Sequence, residues 1–464
     1  LIGALYGELY GTTAMRDVFS LRSRLAAMLE VEVALARAEA RAGVIPSAAA
    51  EAIANAADVD RLDVDAIIAA TQHVGYPVVP LTKQLAKLAG TEAGGYVHWG
   101  ATTQDILDTA TVLQIERAFA LLDADLAATI GALAEHAQRH RDDPMAGRTH
   151  LQQALPITFG YKCALWLGPL VDHRARLARA RDEVRQVQFG GAVGTLASLG
   201  ARGRDVALAL GGELGLRVPD AAWHVDRSAF AGAACAVGLV CGSLAKFATD
   251  MMLLMQTEIG EASEPYAPGR GGSSTMPQKR NPIASEYIVA SARGVHALVT
   301  VMLQAMAGDH ERSSGPWQSE EPVLPQLFVF ASATFAQSLA VARGMTVDLA
   351  RMRRNLDLTG GLIVSESVAM ALAQTLGHGR AHAIVERASS LAAQSSLSLR
   401  DALLRDADVA AEFDGKALDS LLDPVSYLGD AGAVVDRVVA RAFADLGRAA
   451  GRARAGEVST PRKS

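Results

Sequence analysis

The stretch PGRGGSSTMPQKRNPIASE, residues 268–286, decides how the rest of the chain is read. Pro268, Pro277 and Pro282 stand at a spacing that no continuous helix tolerates, because each lacks an N–H donor and crowds the preceding turn. The segment is therefore expected to be a mobile, glycine-rich loop that interrupts an otherwise helical chain. Asn281 is placed as the N-cap of the next helix, with Pro282 at its first position. Ser273, Ser274 and Lys279 would then lie near the positive end of a helix dipole, a place that holds anions.

Outward from that loop, the 464 residues are half hydrophobic and poor in aromatics. Small side chains abound and β-branched runs are short, which predicts an all-α fold of closely packed helices. The net charge of −6 excludes a general nucleic-acid binder. The basic tail at 452–464 is expected to be disordered. Cys163, Cys235 and Cys241 lie in apolar stretches without metal-like spacing, so reduced, buried thiols are expected. The most apolar run, AFAGAACAVGLVCGSLA at 229–245, is short for a membrane span and is read as a buried helix. With no basic-then-apolar leader at the start, a cytoplasmic protein with no membrane or nucleic-acid partner is expected.

Taken in order, residues 12–43 carry Leu21, Leu25, Met28, Leu29 and Leu35 near helical spacing, with Gly43 placed to end the helix. The segment YVHWGATTQDILDTATVLQ, 96–114, turns at Gly100 and enters a helix near Thr102 or Thr103, where hydroxyls and free N–H groups hold a carboxylate or simply cap the helix. Two further breaks bear polar groups, GRTHLQQALP at 147–156 and FGGAVGTLASLG at 189–200. The pattern divides into an N-terminal helical domain (1–108), a central helical bundle (109–348) and a small C-terminal helical domain (349–464). Its long apolar faces exceed what one copy covers, so oligomerisation is expected.

The serines fit neither the G-x-S-x-G elbow nor a phosphate-binding loop. A serine alkoxide beside Lys279 and a helix N-terminus instead suits a general base that takes a proton from carbon next to a carboxylate. Such a base needs an electropositive, water-poor site, formed when the loop closes.

The segment GSSTMPQKRNP, with glutamate five positions after its asparagine, resembles the signature of the fumarase/aspartase superfamily. HWGATTQD and GGAVGT resemble two further regions of it, in order. The resemblance implies a three-domain α fold around a central helical bundle, no cofactor, and a homotetramer whose sites each draw on three subunits. By the same resemblance Ser273 matches the catalytic base, with Ser274 as the lesser choice. His150 and Glu286 match the general-acid apparatus. Lys279, Thr102, Thr103, Gln152, Thr195, Met276 and Asn281 match positions that bind a small dicarboxylate, and His98 matches a second active-site histidine.

Within the superfamily WHVDRSAF, LLMQTEIGEASEP and ARMRRNLDLTGGL look most like the 3-carboxy-cis,cis-muconate cycloisomerase branch. That branch includes members with tryptophan in place of the GRTH histidine, which this chain keeps as His150. The expected reaction is therefore β-elimination of a nitrogen-containing group from a substituted succinate to give fumarate. Alternatives are the cycloisomerase, adenylosuccinate lyase, a succinate epimerase, and an inactive structural tetramer. Glu320 and Glu321 after HERSS disfavour a nucleotide phosphate. His136 and His140 lack the H-E-x-x-H order, so no metal is expected. His378 and His382 share that spacing and are read as surface or capping groups. Arg16, Arg22 and Arg24 are read as helix-face charges.

Overall fold

The computed structural model describes residues 2–395 and 397–458. It is predominantly helical, and its longest helices are Thr103–Arg139, Phe159–Val184, Ser228–Leu254, Ile283–Gln304, Pro316–Gly344 and Ala431–Val458. The last of these reaches into the tail expected to be disordered, whose residues 459–464 lie outside the described residues. Contacts divide the chain into two units. The first comprises Leu1–Asp125, His173–Leu244 and Tyr287–Ala336, and the second Leu126–Asp172, Ala245–Glu286 and Gln337–Ser464.

In the first unit the helix Leu21–Arg41 packs on Ser47–Ala56 and Gly203–Leu214 through Leu25, Met28, Leu29, Val31 and Leu35. Ser20 caps its start. It ends as expected, with Gly43 at φ +70° and Val44 N–H reaching the Glu39 carbonyl, which satisfies carbonyls the helix leaves free. Arg16 is not a helix-face charge. It donates to the Gly7 and Gly11 carbonyls, at and just beyond the C-terminal end of Ile2–Tyr10. Arg24 bonds Thr111 Oγ1 and Gln114 Oε1, while Arg22 pairs with Asp60 at the surface.

A buried ionic cluster holds the middle of this unit. Arg227, 1% exposed, spans Asp108 at 2.7 Å and Glu320 at 2.5 Å and lies over the rings of Trp223 and Phe230. Gln104 and Trp317 also donate to Asp108. Burial raises the Glu320 carboxyl even against the opposing pull of Arg227. Glu320 is thus a framework group already paired with arginine, so its charge gives no reason to exclude a phosphate.

In the second unit the break at 147–156 is a β-hairpin, Pro144–Thr149 paired with Gln152–Thr158. Arg148 makes a two-pronged bond to buried Glu261, and Asn355 donates to the same carboxylate and to the Ile259 carbonyl. His136 and His140 stack in parallel rather than converge, and His140 bonds Asp143. His378 and His382 stack likewise. A C-terminal core forms around Val368, Leu372, Ile384, Leu399, Leu403 and Leu418.

The apolar run at 229–245 belongs to a helix of 27 residues, so shortness does not set it apart from a membrane span. That helix, Ile283–Gln304 and Pro316–Gly344 all have the length and hydropathy to cross one. More than half of the most apolar window is buried within the chain in the first and third, and about a quarter in the second.

Glu39, 1% exposed and with Oε1 unpartnered, has its carboxyl pushed up to about 9, first by burial and then by the charge of Glu32. A carboxyl raised in the folded state takes up a proton on folding. Its contribution is neutral below its unfolded value of 4.5 and grows unfavourable as pH climbs to about 9. The limiting slope is about 1.4 kcal/mol per pH unit. Glu39→Gln is expected to flatten urea-unfolding stability against pH over that window, by a few kcal/mol at its upper end. Parallel curves for the two proteins would refute a buried, protonated Glu39.

Candidate active site

The expected site residues fall into two groups, one in each unit. His98, Thr102, Thr103 and Thr195 belong to the first, and His150, Gln152, Ser273, Ser274, Met276, Lys279, Asn281 and Glu286 to the second.

The first group is organised by Asp105, 1% exposed, a residue that the sequence reading passed over. Its Oδ1 accepts from Gly190 N–H at 3.0 Å and its Oδ2 from Gly191 N–H at 2.9 Å and Thr102 N–H at 3.0 Å. His224 Nε2 lies 2.7 Å from Oδ1. One carboxylate therefore joins the turn before Thr103–Arg139 to the start of the 189–200 loop. The approach is close enough to need glycine: Gly191 has φ +67°, and a Cβ there would stand 3.0 Å from the Gly100 carbonyl.

The helix begins at Thr103, as expected. Thr102 caps it only in part, since Asp105 takes its N–H while its hydroxyl turns to Arg312. Arg312 Nη1 donates to Thr102 Oγ1 at 2.9 Å, and its Nη2 to the Ala192 carbonyl at 2.8 Å. An oxygen that accepts from arginine keeps its own hydrogen for an acceptor, which suits Thr102 to a carboxylate. Arg312, within HERSS, is a second residue that the sequence reading did not place. Thr103 is half-buried and Thr195 is exposed in the loop.

His98, at φ +61°, has Nδ1 2.7 Å from Oε1 of Glu32, and the Glu32 carboxylate is buried. Burial lowers the basicity of this imidazole, but the hydrogen bond and charge of Glu32, with the charge of Asp105, outweigh it. The net displacement is upward.

In the second group His150 and Leu151 form the two-residue tip of the hairpin, both with positive φ, 51° and 65°. Neither is glycine or asparagine, so the turn holds side chains where backbone energy disfavours them. His150 and Gln152 are exposed. Among the described residues neither the His150 ring nor the Glu286 carboxylate has a hydrogen-bond partner.

The 268–286 segment closes on itself. Asn281 N–H donates to the Gly271 carbonyl, and Gly271 has φ +66°, where a Cβ would meet the Asn281 carbonyl at 2.5 Å. Arg280 stacks over Tyr266. Ser273 Oγ accepts from Thr275 N–H at 3.2 Å and Met276 N–H at 3.1 Å, whereas among the described residues Ser274 Oγ has only Thr275 Oγ1 at 3.5 Å. Lys279 is exposed, with no ion pair among the described residues. The expected N-cap is not made by Asn281. The helix starts at Ile283, and Glu264 accepts from Ala284 N–H at 3.1 Å and Ser285 N–H at 2.7 Å. The chain's own carboxylate thus occupies the positive end of that helix.

In the first unit a cavity of about 380 Å³ is lined by Arg24, Asp108, Trp317 and Glu321 among others and includes none of the expected site residues. Asp105→Asn should disconnect the turns, because an amide nitrogen accepts nothing. The expected loss is on the order of 2–4 kcal/mol of stability. Urea unfolding of the two proteins checks this, and an unchanged midpoint would refute it.

A lyase family model matches residues 9–296, and a model for the adenylosuccinate lyase C-terminus matches residues 361–438. The chain is 46% identical over 439 residues to 3-carboxy-cis,cis-muconate cycloisomerase of Pseudomonas aeruginosa, covering 94% of this chain and 96% of that protein. It is 42% identical to nitrosuccinate lyase of Streptomyces davaonensis, covering 89% and 90%. The solved structure of the 3-carboxy-cis,cis-muconate lactonizing enzyme from Pseudomonas putida superposes with a TM-score of 0.91 at 44% identity, covering 95% of this chain and 99% of that one. With its helical architecture and the matched loops, the chain belongs to the fumarase/aspartase superfamily of lyase-type enzymes.

Proposed function

We propose that the chain interconverts an unsaturated polycarboxylate and its lactone, in the manner of a 3-carboxy-cis,cis-muconate cycloisomerase, with Ser273 as the proton-transfer group. In the lactone-opening direction the base removes the proton beside a carboxylate, the electron pair moves into that carboxylate, and the ring C–O bond breaks. In the closing direction a substrate carboxylate oxygen bonds to the alkene carbon and the neighbouring carbon receives the proton. No atom is gained or lost. Full-length likeness to the cycloisomerases supports this reading over the elimination expected from the sequence.

The observation that carries Ser273 is the pair of N–H groups on its Oγ. Two backbone donors stabilise an alkoxide before substrate arrives, and Lys279, without an ion pair among the described residues, adds positive charge in the same loop. Among the described residues Ser274 has no such donors. Thr102 and Arg312 suit the carboxylates. Exposed Leu165, Leu239 and Leu303 on three long helices fit an assembly of several copies, for which a homotetramer with shared sites is the working arrangement.

Elimination from a substituted succinate is the second reading, favoured by His150, exposed and unpartnered at a strained tip, as an acid for a departing group. Ultraviolet assays separate the two: loss of the carboxymuconate diene against appearance of fumarate from nitrosuccinate or aminated succinates. Ser273→Ala is expected to lower turnover by about 10²–10⁴-fold and Ser274→Ala by less than about tenfold. Equal losses in both variants would refute the assignment of the base, and fumarate formation without lactone chemistry would favour elimination.

A further inference from the structure

Glu32 stands on the buried stripe of Leu21–Arg41, between Leu29 and Leu35, at a position where the helix pattern calls for an apolar side chain. A carboxylate 2% exposed is retained at such a place only with a partner, and the partner is His98 Nδ1 at 2.7 Å. His98 itself is held at φ +61°, a conformation that non-glycine residues rarely adopt. Its side chain remains 23% exposed, and its Nε2 has no partner among the described residues. A buried carboxylate on one ring nitrogen fixes the tautomer and leaves the other nitrogen available.

We propose that Glu32 is a positioning residue that holds His98 as a protonated acid, with Nε2–H as its exposed donor, for the reaction proposed above. In lactone closure that proton is lent to the substrate carboxylate on which charge develops, while Ser273 delivers the proton that the carbon gains. It returns to Nε2 as that charge is quenched, and opening runs through the same loan in reverse. The pair rests on that functional reading only for what His98 does to substrate. The state of the imidazole is a property of the protein alone.

The charges that act on His98 are Glu32 from Leu21–Arg41 and Asp105 from Thr103–Arg139. Both raise the imidazole, so its protonated form persists to higher pH than that of a free histidine. Asp105 is itself engaged by His224, and Arg312 sits at Thr102. Glu39, two turns along the helix from Glu32, is neutral below about 9 and adds no negative charge at neutral pH. Of the helices packed on Leu21–Arg41, Ser47–Ala56 carries Glu51, and Gly203–Leu214 carries Arg204, Asp205 and Glu213, the last paired with Arg41. Arg204 donates to the Pro219 carbonyl.

The test uses the full-length protein. Slow hydrogen exchange at His98 Cε1, followed by peptide mass spectrometry across pH, reports the titration of that one ring. In the wild type its midpoint is expected above the ordinary 6.5. Glu32→Gln should lower it by about one unit or more, since a shift of that size is what losing a buried charge partner produces. Glu32→Asp, which keeps the charge, should recover part of the shift and stands in if the amide variant does not fold. A His98 midpoint indifferent to both substitutions overturns the proposal.

The kinetic arm measures kcat/KM against pH on carboxymuconate. The basic limb should move down with the His98 midpoint in Glu32→Gln, with kcat reduced more than KM is changed, and His98→Gln should abolish that limb. A limb that stays in place while the midpoint moves overturns the link to catalysis. A midpoint that moves in a protein inert towards every carboxylate substrate instead overturns the functional reading and leaves the Glu32–His98 pair standing.

Discussion

Withdrawing the Asp105 carboxylate from water is what the first unit must make good. An isolated carboxylate in a protein interior is strongly unfavourable, and this one is accommodated because four donors converge on its two oxygens. The donors come from segments far apart in sequence: the turn before the longest helix, the glycine loop near 190, and His224. Each that leaves removes one of the bonds that satisfy the buried charge. The same few bonds that satisfy Asp105 therefore hold Thr102 and the glycine loop in one arrangement. Arg312 then closes the group from a third direction, through the Thr102 hydroxyl and the carbonyls of Gly191 and Ala192.

The neighbouring Arg227 cluster follows the same logic with opposite emphasis. One guanidinium lies between Asp108 and Glu320, the Gln104 amide and the Trp317 N–H donate to Asp108, and the faces of two aromatic rings lie against the cation. In the second unit the corresponding device is Glu261, fully buried, which fixes Arg148 just below the tip of the hairpin and Asn355 on the helix Leu349–Asp357. Each unit thus rests on a buried acid whose partners are drawn from distant parts of the chain.

The all-α fold and the positions of the chemically loaded breaks were legible in the sequence because they depend on local signals. Helical spacing placed Leu21–Arg41, its Gly43 terminus was expected, and the start at Thr103 was foreseen. The hairpin was not foreseen, since its turn is His150–Leu151 and carries none of the glycine or asparagine that marks a two-residue turn. Proline was a sound guide at 268–282 but not at Pro322 and Pro325, which lie inside Pro316–Gly344. The helix cap supplied by Glu264, about twenty residues upstream, was invisible to any local rule. Asp105, Arg312 and Glu32 were missed because their roles come from tertiary partners. Only Glu32 left a trace, a charge on an apolar stripe.

The hairpin offers a view of how such enzymes diverge. Its register is fixed below the tip by paired strands and by Arg148 on Glu261, so the two residues at the summit bear little of the folding burden. A change at position 150 replaces a chemical group and leaves the scaffold undisturbed. The tip acts as an interchangeable socket, in which side chains of different character can be exchanged by single substitutions. The sequence at this summit can therefore change in one evolutionary step, without passing through an unfolded intermediate.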